Sequence, residues 1–147
     1  RIAELGLTLP EPAKPVASYV SYVQSGDQVT ISGQLSNDAN GGIKGTVGVD
    51  VTPEQALEAA RLCGLNLIAQ IKAACDGDLD RVVRIVKLGG FVQAGPDFDA
   101  IPAVINGCSD LMVEVFGERG RHARAAVSAP SLPRGVAVEI EAIFEIA

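Results

Sequence analysis

Residues 124–147, RAAVSAPSLPRGVAVEIEAIFEIA, close the chain with an arginine, a proline corner and a long apolar run carrying Glu139, Glu141 and Glu145. Successive side chains of a strand point to opposite faces, so this run reads as a two-faced strand. Val136, Val138, Ile140, Ala142, Phe144 and Ile146 form its apolar face, and the three carboxylates share the other. One side belongs to a core and the opposite side to water or to function. Arg124 opens a strand expected to be partly buried, and a buried guanidinium without an anion costs several kcal/mol. Two anions are open to it: a carboxylate of the closing strand, or the carboxylate of a bound ligand held bidentately.

Working outward, 147 residues suit a single domain, 1–147, able to bury a sizeable core without metal or disulfide help. With 48% hydrophobic and only 4% aromatic residues, that core is built from Ala, Val, Ile and Leu. No apolar run approaches the roughly 18 residues needed to cross a bilayer, and RIAELGLTLP lacks the apolar centre of a signal peptide. The expectation is a cytoplasmic protein with no membrane partner. A formal charge of −6 argues against nucleic acid as a partner, since phosphate binding needs clustered cations. GERGRHAR (117–124) is the local exception. Arg119, Arg121 and the sole histidine, His122, are read there as solvated loop residues. Cys63, Cys75 and Cys108 show no ligand or disulfide spacing, so buried inert thiols are expected and no metal site.

Residues 1–15 read as an extended N-terminal arm, with three prolines between Leu7 and Pro15. SYVSYVQ (18–24) and QVTISGQL (28–35) form a hairpin, and a short strand is expected at Thr46–Val49. Thr52, Pro53 and Gln55 spell a helix start, after which Ala56, Ala59, Ala60, Cys63, Leu67, Ile71 and Ala74 line one face until DGD (76–78). DRVVRIVKLGGFVQ (80–93) is a long strand, its Gly89-Gly90 pair suggesting a bulge or bend. A second helix runs through 103–117 with Val104, Cys108, Leu111, Met112 and Val115 on one face, weakened by Gly107. Strands near 123–129 and 136–146 finish the chain. The β-β-β-α-β-α-β-β order predicts an α+β fold: a mainly antiparallel sheet with both helices on one face. Self-association would cover the other face.

The chain contains no GxxxxGK[ST], GxGxxG or GxSxG. A Ser-His pairing would need His122, which nothing local positions, and Ser32 stands alone at a strand end before a glycine.

The segments SYVSYVQSGDQVTISGQL, Asn66-Leu67, GDLDRVVRIVKL and RAAVSAPSLPRGVAVEIEAI together resemble the Rid family, also called YjgF-like or L-PSP endoribonuclease-like. The likeness runs from about Pro15 to Ile143. Its most specific piece is Arg124 followed by Leu132-Pro133 and by Val138–Ile143. The resemblance implies a chorismate-mutase-like fold assembled as a homotrimer with a central barrel, and ligand clefts between subunits. It implies hydrolysis of reactive enamines and imines derived from amino acids to 2-keto acids and ammonia, with no cofactor. Arg124 matches the arginine that clamps the substrate carboxylate, and Glu139 the glutamate near the attacking water. Tyr19 falls at an aromatic cleft position, Ser32 in the SGQ motif, and Asn106 near the pocket asparagine across a loop one residue longer. Ala126 stands where many members carry cysteine, and the 106–124 segment also departs, which places the chain in a side branch. A non-catalytic trimeric module for small carboxylates is the alternative reading, and ribonuclease activity the third.

Overall fold

The computed structural model describes residues 1–15 and 17–147. β1 (Tyr22–Ser25) and β2 (Gln28–Leu35) form the expected hairpin, turning at Gly26 with φ 62°. Helix α1 (Pro53–Ala74) starts as its sequence dictates. The Thr52 hydroxyl accepts from the Gln55 amide while the Gln55 side chain accepts from the Thr52 amide, so two otherwise orphaned donors are satisfied. β3 (Val82–Gln93), α2 (Ile101–Phe116), β4 (Ala123–Ala129) and β5 (Val138–Ile146) follow.

The sheet order is β1-β2-β5-β3-β4. All pairs are antiparallel except β3 with β4, so the sheet is mixed. This is the α+β architecture expected of a YjgF-like chain. β5 lies in the middle, and Val136, Val138, Ile140, Ala142, Phe144 and Ile146 are buried, as the alternation of the closing strand requires. Both helices cover that face. Cys63, Leu67 and Ile71 of α1 and Val104, Cys108, Leu111 and Met112 of α2 complete the core. Each large apolar side chain so buried contributes roughly 1.5–3 kcal/mol. The three thiols are free and buried, and burial pushes that of Cys108 up to about 12, far from any reactive state.

Four local expectations change. Thr46–Val49 is not a strand: isolated bridges from Val47 to Val51 and Ala94 sit within hydrogen-bonded turns, too short for a ladder. The Gly89-Gly90 pair makes no bulge, staying paired with Glu141 and Ile140. Its missing side chains instead make room, since a Cβ at Gly89 would meet Glu141 and one at Gly90 would meet Ile105 of α2. The irregularities fall earlier in β3, between Val82 and Arg84 and between Ile85 and Lys87, and in β2 between Ile31 and Gln34, at Ser32-Gly33. At the N-terminus, residues 1–7 coil through hydrogen bonds such as Leu5 N to Arg1 O rather than run extended, because Ile2, Leu5 and Leu7 pack on the core.

Gly107 does not merely weaken α2. A Cβ there would strike the carbonyl of Leu57, so its absence lets the two helices approach backbone to backbone.

Candidate functional site

Arg124 is in register with Leu88 of β3, whose side chain is fully buried under the helices, so the arginine projects to the helix side of the sheet edge. There it meets α2. Its Nη1 donates to Asn106 Oδ1 at 2.7 Å and to Ser109 Oγ at 3.1 Å. Asn106 and Ser109 are three residues apart and therefore share a helix face. Neither carries charge. Among the described residues no carboxylate lies within ion-pairing distance of Arg124, so the closing-strand ion pair does not form.

The reason is topological. Glu139 pairs with Phe91 and Glu141 with Gly89, on the sheet face away from the helices. Arg124 and the closing-strand carboxylates therefore occupy opposite sides of one sheet.

His122 is not the solvated loop residue that its neighbours suggest. It is partly buried, its Nδ1 lies 2.6 Å from Gly120 O and its Nε2 2.8 Å from Ser109 Oγ. Burial lowers its pKa below the ordinary 6.5, an effect that the Gly120 carbonyl opposes and the Arg124 charge reinforces. A neutral ring with its proton on Nδ1 satisfies both contacts: Nδ1–H donates to Gly120 O, and Nε2 accepts from Ser109. Arg119 is likewise engaged, donating to Val82 O at 2.6 Å, whereas Arg121 pairs only with Glu118 at 3.2 Å on the surface. Ser109, Asp110, Val113, Arg121, His122 and Arg124 line a cavity of about 280 Å³.

The other candidates gather on the open face. Tyr19 and Ser32 together line two adjoining cavities of about 510 and 280 Å³, the larger also walled by Lys87, Gly89 and Glu141. Ser32 Oγ donates to Val20 O at 2.7 Å, tying the β2 irregularity to the segment that carries Tyr19. Gly33, in the wall of the smaller cavity, leaves the space that the Glu139 carboxylate occupies. Glu139 is half-buried; burial, and then the neighbouring charge of Glu141, raise its pKa above the ordinary 4.5. Asn66 supports this side from behind, donating to Leu35 O and Asn37 O at 3.0 Å each.

The structure thus forms two groups: Arg124 with Asn106 on one side, and Tyr19 with Ser32 and Glu139 on the other. Ser109 escaped the sequence reading, and His122 was set aside in it as a solvated loop residue. The three-residue spacing of Asn106 and Ser109 was the available signal for the first; the fold alone brings His122 to it.

Among the described residues no helix is long and apolar enough to cross a membrane, and no cluster of three or more potential ligands could hold a metal ion.

Comparison with known proteins places this geometry. The YjgF/chorismate-mutase-like family model matches residues 1–144. The chain is 48% identical over 147 residues to protein TCP17 of Trypanosoma cruzi, covering 99% of this chain and 91% of that protein. It is 26% identical over 140 residues to a 2-iminobutanoate/2-iminopropanoate deaminase of Dermatophagoides farinae, covering 95% and 94%. Among solved structures, protein Atu1372 of Agrobacterium tumefaciens superposes with a TM-score of 0.93 at 47% identity, over 99% of this chain and 90% of that one. TdcF of E. coli with bound serine superposes at 0.65 and 26% identity, over 95% and 96%. With nearly its whole length matched and its two-helix, five-strand arrangement shared, the chain belongs to the YjgF-like, or Rid, family.

Proposed function

We propose that the protein hydrolyses reactive enamine and imine intermediates derived from amino acids, giving 2-keto acids and ammonia, in clefts between the subunits of a homotrimer. One observation carries the reading. Arg124 is partly buried and held in place by two neutral acceptors, so its charge is left for an anion that its own chain does not supply. The deaminase of Dermatophagoides farinae supports the reaction class.

The chemistry asks little of the protein. The substrate is anionic at its carboxylate and electrophilic at its imine carbon. Arg124 would bind the carboxylate through the guanidinium edge that Asn106 and Ser109 do not use, fixing the orientation of the carbon. Glu139, its pKa raised by burial, would accept a proton from the water that attacks this carbon. Glu139 then returns that proton to the nitrogen, and the carbinolamine collapses to the ketone as its C–N bond breaks, the hydroxyl proton leaving with the ammonia. Tyr19 and Ser32 would wall the cleft. Because Arg124 and Glu139 lie on opposite sides of one sheet, a site containing both takes Arg124 from one copy and Glu139 from the next. The same assembly would cover the open face, where Tyr19, Val20 and Val23 are each about half exposed.

The test couples the protein to a serine or threonine dehydratase that generates the imine and follows ammonia release. Wild type speeds the release. Arg124→Ala loses one charge-assisted contact and drops kcat/KM about ten- to a hundredfold, given roughly 1.5–3 kcal/mol for such a bond. Equal rates with and without wild-type protein would refute the proposal.

The serine bound to TdcF favours a second reading, a module that captures small carboxylates without turnover. Arg124-dependent binding of serine with no acceleration of any imine hydrolysis would select it.

A further inference from the structure

Ser109 and His122 belong to no role described so far, yet they complete a directed chain of hydrogen bonds ending on Arg124. Gly120 O accepts from His122 Nδ1 at 2.6 Å, His122 Nε2 lies 2.8 Å from Ser109 Oγ, and Ser109 Oγ accepts from Arg124 Nη1 at 3.1 Å. Each link fixes the direction of the next. A carbonyl only accepts, so Nδ1 carries the ring proton; Nε2 then presents a lone pair, and the Ser109 hydroxyl must give its proton to it. The hydroxyl oxygen is thereby turned with a lone pair toward the guanidinium.

The anchor of the chain is rigid. Gly120 is buried in the short turn that follows α2, packed on the backbone of Met112 with no room for a Cβ, so its carbonyl is held fixed against that helix. Ser109 lies on α2 itself, and His122 bridges the turn and the helix. The charged groups facing His122 are Arg124 from β4, Arg121 beside it in the chain and Asp110 from α2. Arg84 of β3 donates to the Arg121 carbonyl from below.

We infer that Ser109 and His122 are positioning residues for anion capture: neutral His122 orients the Ser109 hydroxyl, which with Asn106 locks the Arg124 guanidinium in the plane that receives a carboxylate. This rests on the proposed role of Arg124. A locked fork loses less conformational freedom on binding than a free arginine, so the effect falls on KM and leaves kcat nearly unchanged. Protonation of His122 turns Nε2 into a donor and ends its hold on the hydroxyl proton.

His122 is the only histidine, so its ring nitrogens can be read without assignment in a long-range proton–nitrogen NMR spectrum. At pH 7 the spectrum should show the Nδ1–H tautomer, with a titration midpoint below 6.5. An Nε2–H tautomer would overturn the inference whether or not the protein is an enzyme. In the imine assay, Ser109→Ala and His122→Ala should each raise KM about three- to tenfold with kcat within about twofold, on the worth of one hydrogen bond. His122→Gln, which retains an acceptor near the Nε2 position, should restore most of the wild-type KM. The wild-type KM should break at the NMR midpoint, and that of His122→Gln should not. Unchanged KM in Ser109→Ala, beside an active wild type, would refute the relay and leave the hydrolase standing. A wild type without imine hydrolysis but with the expected tautomer would refute the hydrolase, and the relay is then tested by serine affinity, which Ser109→Ala should weaken by the same factor.

Discussion

Arg124 and Glu139 carry opposite charges and never meet within one chain, and this separation governs how each side chain behaves. The arginine rests on amide and hydroxyl oxygens, which orient it without neutralising it. The glutamate, half-buried beside Glu141, ionises at a higher pH than an ordinary carboxylate. A folded-state pKa raised above the unfolded value means that ionisation costs folding free energy. The cost is absent at low pH, sets in as pH rises through 4.5 and is complete above the folded-state pKa. Two outcomes are expected from Glu139→Gln. In the imine assay it removes the acid limb of kcat/KM, which in wild type rises with a midpoint above 4.5. In thermal unfolding at pH 7 it leaves Tm unchanged or slightly higher, because the penalised charge is gone. A variant that keeps the acid limb would remove Glu139 from the role of base. Strand position and charge singled out Arg124, whereas the family resemblance singled out Glu139 among the three carboxylates of the closing strand. Which group faced which was not legible, since side-chain alternation gives the faces of each strand but not which faces of β4 and β5 coincide.

Helix starts and strand periods were the most readable features, because their causes are local. The Thr52-Pro53-Gln55 box began α1 where a box of that kind must, and alternation along 136–146 marked the buried half of β5. What failed depended on distant neighbours. Thr46–Val49 has strand-like residues, but the turn closed by Val49 N and Asp50 N on Thr46 O cuts its pairing beside the end of β3 to a single bridge. Gly89-Gly90 looked like a break in β3 and is a space for Glu141 and Ile105. Gly107 looked like a flaw in α2 and is the seat of its contact with α1. Gly107→Ala therefore tests packing against propensity. Helix propensity alone would stabilise the variant by up to about 1 kcal/mol, whereas forcing a methyl against the Leu57 carbonyl should destabilise it by about 1–3 kcal/mol. Urea unfolding should show the lower midpoint, and a raised midpoint would mean that the helices separate at little cost.

For the molecule as a whole, a core on one face of a mixed sheet leaves the other face bearing Tyr19, Val20 and Val23 beside two cavities. The sequence exposed this difficulty through an element order that puts both helices on one face, and the family likeness supplied the proposed remedy, a trimer whose clefts unite the two groups of site residues. No single chain can test that remedy; two defective ones can. Arg124→Ala and Glu139→Gln protomers are each expected to be strongly impaired alone in imine hydrolysis, with kcat/KM of Arg124→Ala down about ten- to a hundredfold. Unfolded together and refolded as mixed oligomers, they should regain activity, since some clefts then pair an intact Arg124 with an intact Glu139 from its neighbour. Random assembly of equal amounts in a closed ring restores about a quarter of the clefts, and hence about a quarter of the wild-type rate. If refolded mixtures that demonstrably contain both protomers stay as slow as the parents, the two residues do not form one site across an interface, and the account is wrong.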